Sequence, residues 1–241
     1  MHRLKLLAPV AGLMLLGLPL SASALSIDTF DTSQNVLIAP GPPNPQTVDD
    51  ASAAAEAVGG SREIVLTRTG GFGLAGLDAS LSGAGLLSLS TGAAVVADAL
   101  LVYDGSADGS VDPSGLGGVD LTDGGASSIL QVVARSDLDA VIRVQIHSGS
   151  ATDYLFAEFN LTGAGTGAGA FQTLQIPLAA LVAEGLGADV ANVGAVVVAI
   201  SGQPSVDLQI DSIGTIVPEP TSLILMGLGT AGLAIAGRRR S

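Results

Sequence analysis

The sequence contains no cysteine and no tryptophan, and only 3% of its residues are aromatic and 13% charged. Without cysteine there is no disulfide, no thiolate metal ligand and no cysteine nucleophile. Ordinary soluble domains carry about 25% charged residues, so this surface must be built largely from Ser, Thr, Asn, Gln and backbone groups. Histidine is nearly missing as well. Of His2 and His147, the first sits in a segment read below as removable, so no histidine-rich zinc site can be assembled. What is abundant is apolar residues, at 48%. That excludes an intrinsically disordered chain, whose signature is low hydrophobicity with high charge.

Part of the apolar excess lies at the two ends. Residues 1–24 carry Arg3 and Lys5, an apolar run from Leu6 to Leu20, and the small-residue triplet Ala22-Ser23-Ala24. This is the order of a secretory signal peptide, with the A-x-A pattern placing cleavage by signal peptidase after Ala24. At the other end, Thr221 to Gly237 is a stretch of 17 residues without charge, followed by Arg238, Arg239 and Arg240. Such a stretch is just long enough to span a bilayer as a helix, and arginines beside a span stay cytoplasmic. The body between the ends is therefore expected on the far side of the membrane. Pro218 and Pro220 keep the segment before the span extended and accessible to a processing enzyme. Gly227, Gly229 and Gly232 match G-x-G-x-x-G by accident: no βαβ unit surrounds them and no acidic residue follows.

Val217-Pro218-Glu219-Pro220-Thr221-Ser222, a short glycine-containing hydrophobic helix and a terminal arginine cluster, in that order, resemble the PEP-CTERM sorting signal of Gram-negative bacteria. The resemblance implies recognition at Pro218, Glu219 and Pro220 and removal of the tail by an exosortase, in organisms that make extracellular polysaccharide. The division expected is a signal peptide at 1–24, an ectodomain at 25–217 and a sorting signal at 218–241.

The ectodomain holds four basic residues, Arg62, Arg68, Arg135 and Arg143, against twenty-one acidic ones, a net charge of −17. This argues against nucleic acid or anionic lipid as a partner. Its hydrophobic periodicity is two: Ile142, Val144 and Ile146 alternate with Arg143, Gln145 and His147, and Val206, Leu208 and Ile210 with Asp207, Gln209 and Asp211. Further strands are expected at Ile64 to Leu66, Leu86 to Ser90, Val95 to Tyr103, Ile129 to Ala134, Tyr154 to Phe159, Phe171 to Ile176 and Val193 to Ile200, divided by Gly, Asp, Ser and Asn clusters. About ten short strands so spaced predict an all-β antiparallel sandwich or barrel. Ala51 to Val58 and Leu178 to Glu184 have helix-forming composition and predict two short helices, the second opened by Pro177.

Ile27-Asp28-Thr29-Phe30-Asp31, Gly59-Gly60-Ser61-Arg62-Glu63 and the run Val206 to Ile213 are similar in pattern to the first and last strands of galactose-binding-like jelly rolls, which include many carbohydrate-binding modules. The resemblance implies paired terminal strands that bring Asp28 and Asp211 into one neighbourhood, where such modules hold structural calcium. Another β-sandwich remains the alternative.

Candidate chemistry is sparse. Asp104, Asp108, Asp112, Asp120 and Asp123 lie in one glycine-rich stretch, and carboxylates with loop carbonyls suit Ca²⁺. The spacing fits no EF-hand, and Asp-Gly pairs also simply make turns. No G-x-S-x-G elbow frames a nucleophile, and His147 falls on the alternate, outward face of its strand. With twenty-one acids, some carboxylate pair always meets a glycosidase spacing. Glu158, in an apolar strand, reads as a rim carboxylate, and alternation is expected to bury most Phe, leaving no broad aromatic platform for sugar. Asn160-Leu161-Thr162 fits the N-glycosylation sequon, which in a bacterial chain reads as a chance match. The reading is an exported, exosortase-processed, non-enzymatic surface or matrix protein associated with exopolysaccharide. A glycan-binding, lectin-like module with a small Asp-rich loop site is the alternative, and an extracellular hydrolase the third.

Overall fold

The computed structural model describes residues 24–79, 84–108, 110–165 and 169–217. Residues 1–23 of the expected signal peptide, Ala22 included, the sorting-signal residues Pro218, Glu219 and Pro220, the helix at 221–237 and Arg238 to Arg240 lie outside the described residues. Within them no helix is long and apolar enough to cross a membrane.

Two seven-stranded sheets account for the body. Sheet I runs, edge to edge, β11 (Gln172–Pro177), β8 (Ile129–Ser136), β14 (Asp207–Ile216), β6 (Leu87–Thr91), β5 (Ala75–Ala79) and β2 (Gln34–Ile38), and β1 (Ser26–Asp28) pairs with β14. Sheet II runs β12 (Val182–Glu184), β10 (Tyr154–Leu161), β9 (Ala140–His147), β13 (Ala195–Ser201), β7 (Val96–Tyr103), β4 (Ser61–Gly70) and β3 (Gln46–Ala53). Their pairings are antiparallel.

The connectivity defines a jelly roll. The ribbons β6-β14-β8-β11 and β7-β13-β9-β10 face each other. From β6 onward the chain changes sheet at each step between these eight strands except the β9 to β10 hairpin. That is the double Greek key of an eight-stranded jelly roll.

Alternation places the core. Ile64, Leu66, Leu101, Ile142, Val144, Ile146, Val198 and Ile200 of sheet II are buried against Leu77, Leu87, Leu89, Leu130, Val132, Leu208, Ile210 and Ile213 of sheet I. A register slip of one residue would turn each such set to solvent, so the burial pattern fixes strand register.

The two expected helices are corrected. Residues 51–53 complete β3, with Ala51 opposite Glu63 and Ala53 opposite Ser61; pairing along β4 outweighs the slight helix preference of alanine. Only a 3₁₀ turn, Val58–Gly60, follows, with Gly59 at φ 80°. Leu178–Ala180 is likewise a single 3₁₀ turn before β12. Strands β2, β3, β5 and β12 were not anticipated from periodicity, since each is short or polar.

Two buried arginines of β4 hold the segments around β1 and β2 in place. Arg62 Nη1 donates to Asp28 Oδ2 at 2.8 Å, and its Nε and Nη2 donate to Gln34 Oε1 and the Thr32 carbonyl. Tyr103 Oη donates to the same Asp28 oxygen at 2.8 Å. Arg68, also buried, donates to the carbonyls of Ala39, Gly41, Pro43 and Gly73 and to Asn44 Oδ1 and Gln46 Oε1, pinning the loop between β2 and β3. Removing one partner of a buried pair leaves an uncompensated charge and costs about 3–5 kcal/mol. Asp28→Ala should lower the urea-unfolding free energy by that order, and pairing it with Arg62→Met should recover much of the loss. A loss below about 1 kcal/mol in the single variant would contradict the role given to the pair.

Candidate functional site

Each expected site residue has a defined place. β1 does pair with β14, with Ser26 opposite Gly214 and Asp28 opposite Ile213. The calcium pair is nevertheless corrected. Asp28 is buried and turned inward: Oδ1 accepts from the Phe30 amide at 2.8 Å, and Oδ2 from Arg62 and Tyr103. Asp211 is exposed on the opposite side. The two carboxylates face different media and cannot share an ion. Burial pushes the Asp28 carboxyl above its ordinary value, against the pull of the Arg62 charge, and burial pushes the Tyr103 phenol well up.

The Asp-rich loop is a run of turn formers. Asp104, Asp108, Asp112 and Asp120 each accept, through Oδ1, both the amide and the hydroxyl of the Ser or Thr two residues on: Ser106, Ser110, Ser114 and Thr122. Asp104 is buried, and its second oxygen takes the Asp112 amide at 2.8 Å. Asp123 adopts φ 48°, a turn position that Asp tolerates. Hydrogen bonds from the Ser114 and Thr122 hydroxyls hold the Asp112 and Asp120 carboxyls below their ordinary values. The carboxylates at Asp104, Asp108 and Asp112 thus satisfy their own turns rather than converge, and among the described residues no group of three His, Cys, Asp or Glu could hold a metal ion.

His147 is also corrected: it is buried at the outer end of β9, not exposed. Loop 104–127 reaches over that end, where Gly149 N donates to the Pro113 carbonyl and Gly194 N to the His147 carbonyl. The imidazole packs 5.0 Å from the Tyr154 ring, Nδ1 lies 3.2 Å from the Ser150 carbonyl, and Nε2 has no hydrogen-bond partner among the described residues.

Beside it, the outer face of sheet II presents a cluster that the sequence reading passed over. Along β10, Leu155, Ala157, Phe159 and Leu161 point inward, leaving Tyr154, Phe156, Glu158 and Asn160 outside. Arg143 of β9 lies across them: its guanidinium carbon is 3.8 Å from the Phe156 ring centroid and 5.9 Å from that of Tyr154. Nη1 is 3.7 Å from Glu158, its cross-strand neighbour, and Nε has no hydrogen-bond partner among the described residues. Gln145 sits opposite Phe156 in the same row. Lower on the face, a recess of about 250 Å³ is lined by Asp139, Val141, Asn160, Thr162 and Gln203, among others. The alternation of β10 was the signal for this cluster, because it forces Phe156 and Phe159 to opposite faces.

The termini of the body meet at one place. Thr215 N donates to the Leu25 carbonyl at 2.8 Å, so Ala24, the expected cleavage residue, lies one residue from this pairing.

Burial lowers the His147 pKa from its ordinary value. A histidine kept neutral by folding supplies stability above its unfolded pKa, lost as pH falls through about 6.5 toward the folded value. The melting temperature should therefore drop between about pH 7.5 and about pH 5.5, and His147→Gln should flatten that slope. An equal slope in both proteins would contradict the assignment.

Among curated proteins no sequence matches this one. Among solved structures, the chain is similar to a family 11 carbohydrate-binding module from Clostridium thermocellum in complex with a β-1,3-1,4-mixed-linked tetrasaccharide. Identity is 11%, the TM-score is 0.39, and the match covers 80% of this chain and 95% of that one. It is also similar to a family 61 carbohydrate-binding module in complex with β-1,4-galactotriose, with 8% identity, a TM-score of 0.31, and coverage of 73% and 89%. Likeness at this level adds nothing to what the strand pairings already define. Residues 217–240 match the model of the PEP-CTERM protein-sorting motif, so the folded body is followed at once by a PEP-CTERM address.

Proposed function

We propose that this chain is an exported protein whose body is freed from its C-terminal address by an exosortase and serves, without catalysis, as a structural or adhesive component of the surface or extracellular layer, in association with exopolysaccharide. The observation that carries this reading is the junction itself. Strand β14 ends at Ile216 and the sorting motif begins at residue 217, so the motif follows directly on the last strand of the described residues, and both described sheets lie upstream of it. At the other end β1 opens at Ser26, two residues after the expected signal-peptidase site. The body so delimited is self-contained, and most of its Asp-rich loop carboxylates are engaged by their own turns, a surface suited to a crowded hydrated layer rather than to a reaction.

In cells lacking exosortase, the chain should stay membrane-bound with its tail attached, and Glu219→Ala should produce the same retention in otherwise normal cells. Release of a tail-free body in both cases would defeat the reading.

A second reading, glycan binding, is favoured by the outer face of sheet II. Aromatic rings offer apolar faces to sugars, and Arg143, Gln145 and Glu158 beside them offer hydrogen bonds to hydroxyls. Nothing in that cluster requires calcium. In affinity electrophoresis with the host's own exopolysaccharide, Phe156→Ala and Arg143→Ala should each weaken retardation about tenfold, a change of about 1.4 kcal/mol. Retardation unaffected by either variant would remove this face as the site.

A further inference from the structure

The sequon Asn160-Leu161-Thr162 plays no part in the readings above. The chain has four asparagines, and only Asn160 is followed two positions on by Ser or Thr, with a residue other than Pro between. Asn35 and Asn192 are exposed like it but lie outside any sequon. Asn44, for comparison, is consumed by Arg68 and the Gly71 carbonyl. Asn160 is exposed, and its side-chain amide makes no hydrogen bond among the described residues.

The strand period then arranges the motif. Residues at i, i+2 and i+4 share one face of a strand. Glu158, Asn160 and Thr162 are all exposed, while Phe159 and Leu161 between them are buried. The acceptor amide, the threonine hydroxyl and a carboxylate thus lie in line on the outside of the body. β12 pairs with β10 only at Tyr154, Leu155 and Phe156, so among the described residues β10 is strand-paired from Ala157 to Leu161 on one side, to β9. An unpaired strand edge is a template for an added strand, which lets an enzyme hold this segment extended without unfolding it. Beneath the amide lies the recess of about 250 Å³ lined by Asn160, Thr162, Asp139, Val141 and Gln203, with polar groups to receive the first sugar ring.

We infer that Asn160 is an N-glycan attachment site, modified during or after export. In the transfer, Asn160 Nδ2 forms a bond to the anomeric carbon of a lipid-pyrophosphate-linked oligosaccharide. That carbon's bond to the phosphate oxygen breaks, the pyrophosphate lipid departs with the electron pair, and the amide proton passes to a base of the transferase. Thr162 contributes its hydroxyl to acceptor recognition, and Leu161, buried, holds the strand so that its two neighbours face out.

The inference rests on the export reading, and one experiment separates the two. The chain is isolated from its native host, and the peptide containing residues 158–162 and the C-terminal peptide are read in the same mass spectrum. A glycan mass increment on Asn160 is expected, lost completely in Asn160→Gln and Thr162→Ala and kept in Thr162→Ser. Asn160→Gln alters an exposed residue and should leave the melting temperature unchanged. Unmodified Asn160 on chains whose tail has been removed would overturn the glycosylation site and leave the sorting reading standing. Unmodified Asn160 on full-length chains would overturn both. An increment on Asn160 with the tail still attached would support the site and count against tail removal.

Discussion

The carboxylate of Asp28 is the centre of a buried polar clasp that joins the two sheets. Its backbone belongs to β1 and sheet I, yet its oxygens accept from Arg62 of β4 and Tyr103 of β7, both in sheet II. Sandwich layers otherwise adhere through side chains with no directional preference; this clasp supplies a fixed geometry. It also fixes the entrance of the chain. The Asp28 side chain holds the Phe30 amide, and Arg62 lies 5.5 Å from the Phe30 ring, which maintains Phe30 at φ 56°, an uncommon conformation for a bulky residue. With β1 set this way, Leu25 bonds to Thr215, and the start and finish of the body come to one end of the sandwich.

That arrangement has a consequence for delivery. An exported domain with a leader at one end and an address at the other must complete its fold with neither. Here the terminal strands β1 and β14 pair with each other, and the strands of both sheets among the described residues lie between Ser26 and Ile216. The low charge of the chain follows the same logic. A surface poor in lysine and glutamate must satisfy its loops internally, and the repeated Asp-x-Ser and Asp-x-Thr turns from Asp104 to Thr122 do so, each carboxylate taking an amide and a hydroxyl close by in sequence.

Much of the fold was legible because strands buried on one face must alternate. β8, β9, β10, β13 and β14 lie where the period-two pattern put them, and the pairing of the terminal strands followed from the resemblance to jelly rolls. The failures have physical causes. The end of β3, residues 51–53, reads as helix because alanine favours helix slightly, but its partner β4 decides the matter. β2, β5 and β12 are too short for a period to declare itself. The site was less legible. Alternation already put Asp211 outside beside Ile210, but the inward turn of Asp28 depends on Arg62 and Tyr103, partners far away in sequence. His147 is covered by a loop from far along the chain. Phe156 was legible in principle, since its alternation with Phe159 compels one of the two rings outward.

On the proposed function, the mature molecule is the body that runs from Leu25 through Ile216, trimmed at both ends on its way out of the cell. The intact mass of the protein recovered from the envelope and culture medium of its native host tests this most directly. A chain beginning at Leu25 and lacking the hydrophobic helix and arginine cluster is the result expected. A chain of all 241 residues, recovered from the cytosol, would contradict it.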